Sequence, residues 1–272
     1  MFTVRTIDSL ELPELEPYRT MRRPQEHCDR GIFVAEGEKV VRRLLESGFE
    51  VVSLLLPQKW VADYEPLVRA RPEKDLQVFV TEMQVLEQLV GFPMFQGVLA
   101  VGKIPERASL SDVLDRTAAP RLWVAIDGLT SAENVGTIVR NCAAFNAHAL
   151  LVGENSSSPY LRRAVRNSMG AIFHLPIIES RNLVDSLQTL RREGVRVIGA
   201  HPHVSGSLLW DAQFAGDCCL VFGSEGSGLS PEVLKICDSC VAIPMPPNVD
   251  SLNVNAAAAV FLYEASRQRR NV

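Results

Sequence analysis

The chain has 272 residues, which suggests one large domain or two ordinary ones. Hydrophobic residues at 47% supply sizeable cores, and charged residues at 22% are ordinary for a soluble protein. The net charge of −4 argues against bulk attraction to nucleic acid but leaves room for a local basic patch. Arg and Glu interrupt every hydrophobic run, so no segment reaches membrane-spanning length. The N-terminal MFTVRTIDSLELPELEPYRT lacks the layout of a signal peptide. The expectation is a cytoplasmic protein with no membrane partner.

In chain order, a loose basic cluster of Arg19, Arg22, Arg23 and Arg30 comes first. Residues 32–48, IFVAEGEKVVRRLLESG, read as one helix with apolar positions at Val40, Val41, Leu44 and Leu45. VVSLLL and LQVFV follow as strands, then TEMQVLEQLV as a helix, a turn GFPMFQ and a strand GVLAVGK. This alternation predicts a small α/β domain over residues 1–103. Residues 104–119 read as the linker, within a polar stretch from Ile104 to Pro120 that is bounded by prolines.

From residue 120 to 272 the alternation is cleaner. LWVAIDGL, ALLVG, IFHLPI, VRVIGAH, CCLVFG and VAIPM read as strands, with helices at NVGTIVRNCAAF, PYLRRAVRNSMGA, NLVDSLQTLRREG, PEVLKIC and SLNVNAAAAVFLYEASRQRR. Short apolar strands separated by helices predict a parallel sheet covered on both faces. A second basic cluster, Arg162, Arg163 and Arg166, has no acidic residue within its own stretch.

Six cysteines over this length do not make a disulfide scaffold. Cys237 and Cys240 form a CxxC, with Cys218, Cys219, His201 and His203 upstream. The usual paired spacing of a zinc site is missing, and Cys218 and Cys219 point to opposite faces of a strand. Buried thiols in a reducing cytosol, with no metal, are the expectation.

The stretch LVFGSEGSGLS places Gly223, Gly226 and Gly228 around Glu225. A phosphate loop holds its anion on backbone N–H groups at a helix N-terminus, and a carboxylate there repels phosphate. The spacing is also neither G-x-G-x-x-G nor a P-loop. A tight strand–helix turn explains Ser230, Pro231 and Glu232 as a helix start. It does not explain three glycines around a carboxylate, so the loop is read as a site for a ligand with N–H donors or a positive centre. Two other stretches share this character. In SAENVGTIVRNCAAF, Asn134 is placed to cap a helix and Arg140 follows on a different face. In VAIPMPPNVDSLNVNAAAAVFLYE, a Pro-rich loop enters a helix at Ser251, Asn253 and Asn255, with Asp250 or Ser251 as the cap.

The motifs N-x-G-x-x-x-R-N, F-G-S-E-G-x-G-L and I-P-M-x(6)-S-L-N-V-N-A-A-A, in that order, resemble those of the SpoU-type RNA 2′-O-ribose methyltransferases of the SPOUT superfamily. The resemblance covers Arg121 to the C-terminus. FVAEGEKVVRRLLESG and FQGVLAVG resemble the RNA substrate-binding domain that often precedes it. The resemblance implies a parallel-sheet SPOUT domain with a deep trefoil knot, S-adenosylmethionine as cofactor and a homodimer. It implies that Gly223, Ile243, Leu252 and Ala200 hold the cofactor, that Arg140 is catalytic, and that Asn134, Glu225, Ser251 and Asn253 order the site. Arg22, Arg23, Arg162, Arg163 and Arg166 are the expected RNA contacts. Ribosomal RNA is the expected substrate, because the extra N-terminal domain accompanies ribosomal-RNA enzymes in the resembling family. A tRNA 2′-O-methyltransferase and a non-catalytic RNA-binding or ribosome-assembly protein on the same fold are the alternatives.

Overall fold

In the computed structural model, which describes residues 3–90, 97–202 and 207–269, the chain divides into two units. One comprises Met1–Glu106 with Tyr160–His174, and the other comprises Arg107–Pro159 with Leu175–Val272. Among the described residues no helix is long and apolar enough to cross a membrane. The expected turn at 91–96 and His203 lie outside the described residues.

The first unit holds five strands: β1 (Thr3–Thr6), β2 (Ile32–Glu36), β3 (Val51–Pro57), β4 (Gln77–Thr81) and β5 (Leu99–Lys103). They lie in the order β1-β4-β3-β5-β2, with β5 antiparallel to both of its neighbours and the other pairs parallel. The helices are α1 (Glu16–Arg19), α2 (Pro24–Asp29), α3 (Glu38–Leu45), α4 (Val61–Arg69) and α5 (Met83–Val90). The single helix expected over residues 32–48 is corrected here. Ile32–Glu36 is a strand buried along its whole length, and only Glu38–Leu45 is helical. Gly37 makes the break, at φ +101°, a conformation a side chain disfavours. A strand covered on both sides carries a continuous apolar run with no period of its own, so it merged with the helical pattern after it.

In the second unit, α6 (Leu110–Arg116) lies within the stretch expected to be a polar linker. Ser109 caps it through the Asp112 N–H at 3.1 Å, and Leu114 is buried in the core. Seven strands follow: β6 (Leu122–Ile126), β7 (Ala149–Val152), β8 (Ile177–Glu179), β9 (Arg196–Ala200), β10 (Ser207–Leu208), β11 (Cys218–Phe222) and β12 (Ser239–Ala242). All pairs are parallel, in the order β10-β12-β9-β11-β6-β7-β8. The helices are α7 (Ala132–Ala144), α9 (Leu183–Arg192), α10 (Pro231–Ile236) and α11 (Val254–Arg269); α8 (Arg162–Asn167), between β7 and β8 in sequence, belongs to the first unit.

Alternation along the strands divides the second core. Trp123, Cys219 and Val221 enter a cluster with Leu183, Leu187 and Leu190 of α9. On the opposite face, Phe222 meets Phe261 of α11 edge-on, with ring centroids 5.7 Å apart. Such a buried aromatic pair contributes about 0.5–1.5 kcal/mol beyond its area burial. Cys218 lies 3.4 Å from an Arg269 nitrogen while Cys219 sits in the first cluster, so the two thiols do face opposite ways.

Candidate active site

Ala200, Phe222 and Ala242 end β9, β11 and β12 at the same edge of the sheet. Ligands of parallel sheets bind at such carboxyl ends. A cavity of about 300 Å³ opens there. Ala200, Gly223, Ile243 and Leu252, the four expected cofactor contacts, all line it, and so do Glu225 and Ser251. Phe222, Val241, Val254 and Phe261 form its apolar part.

The glycine loop is a tight hairpin. Ser224 and Gly228 exchange backbone N–H···O bonds of 3.0 Å in both directions. Those two donors are consumed inside the loop, which removes them from any anion cradle. A Cβ on Gly223 would lie 2.1 Å from the carbonyl carbon of Gly228, so this glycine is required by its own loop. Gly228 adopts φ +67°, which also closes the turn, whereas Gly226 has open space around its Cβ position. Beyond the hairpin, Ser230 caps α10 through the Val233 N–H, with Pro231 first in the helix. Asp127, just past β6, accepts the Ser230 N–H at 2.7 Å and ties this turn to the neighbouring strand.

Asn253 organises the start of α11. Its Oδ1 accepts the Asn255 N–H at 2.9 Å, so Asn253, rather than Asp250 or Ser251, is the cap. With Oδ1 committed, Nδ2 faces an acceptor and donates to Oε1 of Glu225. Asn255 in turn donates Nδ2 to Oδ1 of Asn134 at 2.8 Å, and Asn141 Nδ2 donates to the Asn255 carbonyl at 3.0 Å. Asn134 is not the cap of α7, since Ser131 accepts its N–H at 3.3 Å. Its amide is thereby left for α11.

Arg140 stands apart. It is exposed on α7, does not line the cavity, and has no hydrogen-bond or ion-pair partner among the described residues. The titratable residues lining the cavity are His201, Glu225 and Asp250, with no Lys or Arg among the lining residues. The cavity is therefore acidic, which suits a cationic ligand.

The CxxC thiols, Cys237 and Cys240, are held in the protonated form. Burial pushes the Cys237 thiol up to about 12 and also raises Cys240. Protonated thiols are poor nucleophiles. No group of three or more His, Cys, Asp or Glu among the described residues is placed to hold a metal ion.

The basic clusters are more occupied than their sequence suggests. Glu36, only 7% exposed, accepts ion pairs from Arg162 and, at 2.9 Å, from Arg166. Arg163 also has a partner. Arg23 pairs with Glu26 at 3.2 Å, Arg30 pairs with Glu16, and Arg19 donates to the Leu12 carbonyl at 2.9 Å. Arg22 is exposed and likewise partnered.

Residues 121–263 match the SpoU rRNA Methylase family. The chain belongs to that family. An uncharacterized tRNA/rRNA methyltransferase of Mycobacterium tuberculosis is 32% identical over 268 residues, covering 96% of this chain and 91% of its own length. The AdoMet-bound rRNA methyltransferase of Sinorhizobium meliloti superposes with a TM-score of 0.83 at 25% identity, over 97% of this chain and 98% of that one. A solved RNA 2′-O ribose methyltransferase gives a TM-score of 0.79 at 26% identity, over 98% of this chain and 100% of that one.

Within this SpoU chain, Asn141 and Asp127 carry no signal in the sequence, while Asn255, Asp250 and His201 stand out there for other roles than the ones the structure gives them. The N-V-N spacing carries a signal for the role of Asn255. An Asn side chain readily caps the N–H two residues on, which marks Asn253 as the cap and leaves Asn255 inside the first turn. Asn134 and Asn255 are 121 residues apart, and no local pattern announces their contact.

Proposed function

We propose that this chain transfers a methyl group from S-adenosylmethionine to a ribose 2′-hydroxyl of RNA, with ribosomal RNA as substrate, in the cytoplasm. The observation that carries the reading is the single cavity into which Ala200, Gly223, Ile243 and Leu252 converge beside Glu225. Its residues fit the cofactor. Phe222, Val241 and Ile243 offer an apolar surface for a purine, while Glu225 and Asp250, with no cation among the lining residues, suit a sulfonium and an ammonium. S-adenosylmethionine supplies an electrophilic methyl group when bound. The relatives are named for rRNA, tRNA/rRNA and 2′-O ribose methylation, which supports the substrate class.

The protein's own residues then have distinct tasks. Positioning a hydroxyl in line with the methyl group accounts for much of such an acceleration. Arg140 contacts the ribose or its phosphate and stabilises the alkoxide that develops as the hydroxyl loses its proton. A guanidinium stays protonated in ordinary surroundings, so electrostatic stabilisation is the role its chemistry favours. Glu225, Asn253 and Ser251 order the cavity loops. Exposure of Arg140 outside the cavity supports a twofold homodimer in which a second copy completes the site. Ala256, Val260 and Tyr263 form an exposed stripe along α11 with the spacing of one helix face, and Tyr263 is 59% exposed. The trefoil knot belongs to the same reading, supported by likeness to the family's solved structures over nearly the whole chain.

Comparison of 2′-O-methylation maps of ribosomal and transfer RNA, with and without the gene, tests the assignment. Loss of one ribosomal-RNA ribose methyl supports it. Loss confined to a transfer RNA moves the substrate, and unchanged maps with intact cofactor binding leave a non-catalytic binder.

A further inference from the structure

Asn255 is held at three points. Asn253 Oδ1 accepts its backbone N–H, Asn141 donates to its carbonyl at 3.0 Å, and its own Nδ2 donates to Asn134 at 2.8 Å. Asn134 and Asn141 are one heptad apart on α7 and therefore share a face. Arg140 adjoins Asn141 and is turned about 100° around the helix from it. The remaining acceptor of Asn255, its Oδ1, is buried and has no hydrogen-bond partner among the described residues.

For stability this is a poor choice of residue. A buried acceptor without a donor is unfavourable, and alanine would remove it. The capping bond and the bond from Asn141 both use the backbone of residue 255 and would survive that change. Only the side-chain bond to Asn134 is gained by having asparagine here.

We infer that Asn255 is a positioning residue for Arg140. Its bond to Asn134, seconded by the grip of Asn141 on its backbone, sets the rotation of α7 and so the direction of the guanidinium. Within one chain the hydrogen bonds form a continuous path from Glu225 through Asn253 to Asn255 and on to the two asparagines of α7. The inference rests on the reading of Arg140 as the group that acts on RNA.

The test uses full-length Asn255→Ala and Arg140→Ala beside the wild type. Thermal unfolding of Asn255→Ala should be unchanged or shifted upward. Calorimetric affinity for S-adenosylmethionine should be unchanged, since Asn255 does not line the cavity. Methyl transfer to an unmodified ribosomal RNA transcript should fall about tenfold to a hundredfold in kcat with KM for RNA unchanged. Adding Asn255→Ala to Arg140→Ala should cost nothing further, because both act through one group. Hydrogen exchange, which needs no RNA, should quicken along residues 137–144. Full activity in Asn255→Ala alongside an inactive Arg140→Ala overturns the inference and leaves the function standing. Loss of activity that tracks a lowered melting temperature also overturns it, as a merely structural effect. Full activity in Arg140→Ala overturns the reading beneath it. If the transcript is not methylated even by wild type, unaltered exchange in α7 is the overturning result.

Discussion

Asn253 donates its side-chain Nδ2 to Oε1 of Glu225, 28 residues earlier in the chain, while its Oδ1 caps α11. One amide thereby joins two of the three motif loops, its oxygen accepting one bond while its nitrogen donates the other. Asn253→Asp keeps the cap but sets a second carboxylate against Glu225. Two like charges at that distance resist joint ionisation, so one proton is retained to higher pH. With both ionised, repulsion replaces the bond between the two cavity loops and outweighs the added attraction for a cation. Affinity for S-adenosylmethionine should therefore fall by about tenfold at pH 8 and recover as the pH is lowered. Adding Glu225→Gln should restore binding at pH 8. Calorimetry at two pH values decides; a loss equal at both would show that charge is not the cause.

The acidic lining of the cavity predicts a charge preference. Glu225 and Asp250 line the cavity with no opposing Lys or Arg among the lining residues. At an effective dielectric of about 20, a unit pair roughly 7 Å apart attracts by about 2 kcal/mol. Exposure of Asp250 reduces this to about 1 kcal/mol, roughly a fivefold effect. The cationic sulfonium and its cationic amine analogue sinefungin should therefore bind several-fold more tightly than the neutral thioether product. Asp250→Asn should narrow the gap without abolishing binding. Equal affinities for all three ligands in the wild type would contradict this.

The two loop glycines should behave differently. Gly223→Ala drives a Cβ into Gly228 and Leu229 backbone atoms at 2.1–2.4 Å, and backbone cannot step aside cheaply. Overpacking of this kind costs about 1–3 kcal/mol, and cofactor binding should be lost with the hairpin. Gly226→Ala meets nothing within 4 Å, so stability should hold and any change in affinity reports on the ligand itself. Thermal unfolding paired with calorimetry separates the two effects.

These glycines also show how far the sequence reaches. Three glycines around Glu225 pointed to a ligand loop, and the loop does line the cavity, but Gly223 serves contact between two parts of the loop. Spacing in sequence does not say which backbone a glycine lets approach. β6, β9 and β11 were legible because buried parallel strands are short apolar runs bounded by breakers. β2 was not, because the same kind of run flowed into α3 with only Gly37 between them. The arginines at 162 and 166 looked unopposed because their partner, Glu36, is 126 and 130 residues away.

That pairing changes what the arginines predict. Glu36 is buried, so removing Arg162 leaves its charge to the more exposed Arg166 alone. Stripping a partner from a buried ion is unfavourable, and Arg162→Ala should destabilise the protein by about 1–3 kcal/mol. Arg163→Ala should cost less, being on the exposed side of α8. If the cluster also meets phosphate, the triple alanine variant should bind RNA with a flatter salt dependence. A fragment covering 120–272 carries Tyr160 and Phe173 without Phe33, against which both rings pack at about 6 Å. It should be less soluble than the full chain, and a well-behaved monodisperse fragment would refute this.

The last prediction concerns acid. His148 accepts the Leu122 N–H on Nδ1 at 3.0 Å, a bond that requires the neutral ring with its proton on Nε2. Burial lowers its pKa below the ordinary 6.5, and the nearby Arg269 pushes the same way. His27, beside Thr20 at 3.0 Å, is also lowered, by burial first and Arg30 second. Both groups are thus harder to protonate folded than unfolded. Their contribution is present above about pH 6.5 and is lost as the pH falls below it, because the unfolded chain then binds more protons. The melting temperature should decline between pH 7.5 and 5.5, by about 2–4 °C for each kcal/mol lost in a chain of this size. His148→Asn supplies an acceptor that does not titrate in this range and should flatten the decline. A melting temperature that holds steady across that interval in the wild type, or a decline as steep in His148→Asn with His27 also replaced, would show that neither ring is the acid-sensitive element.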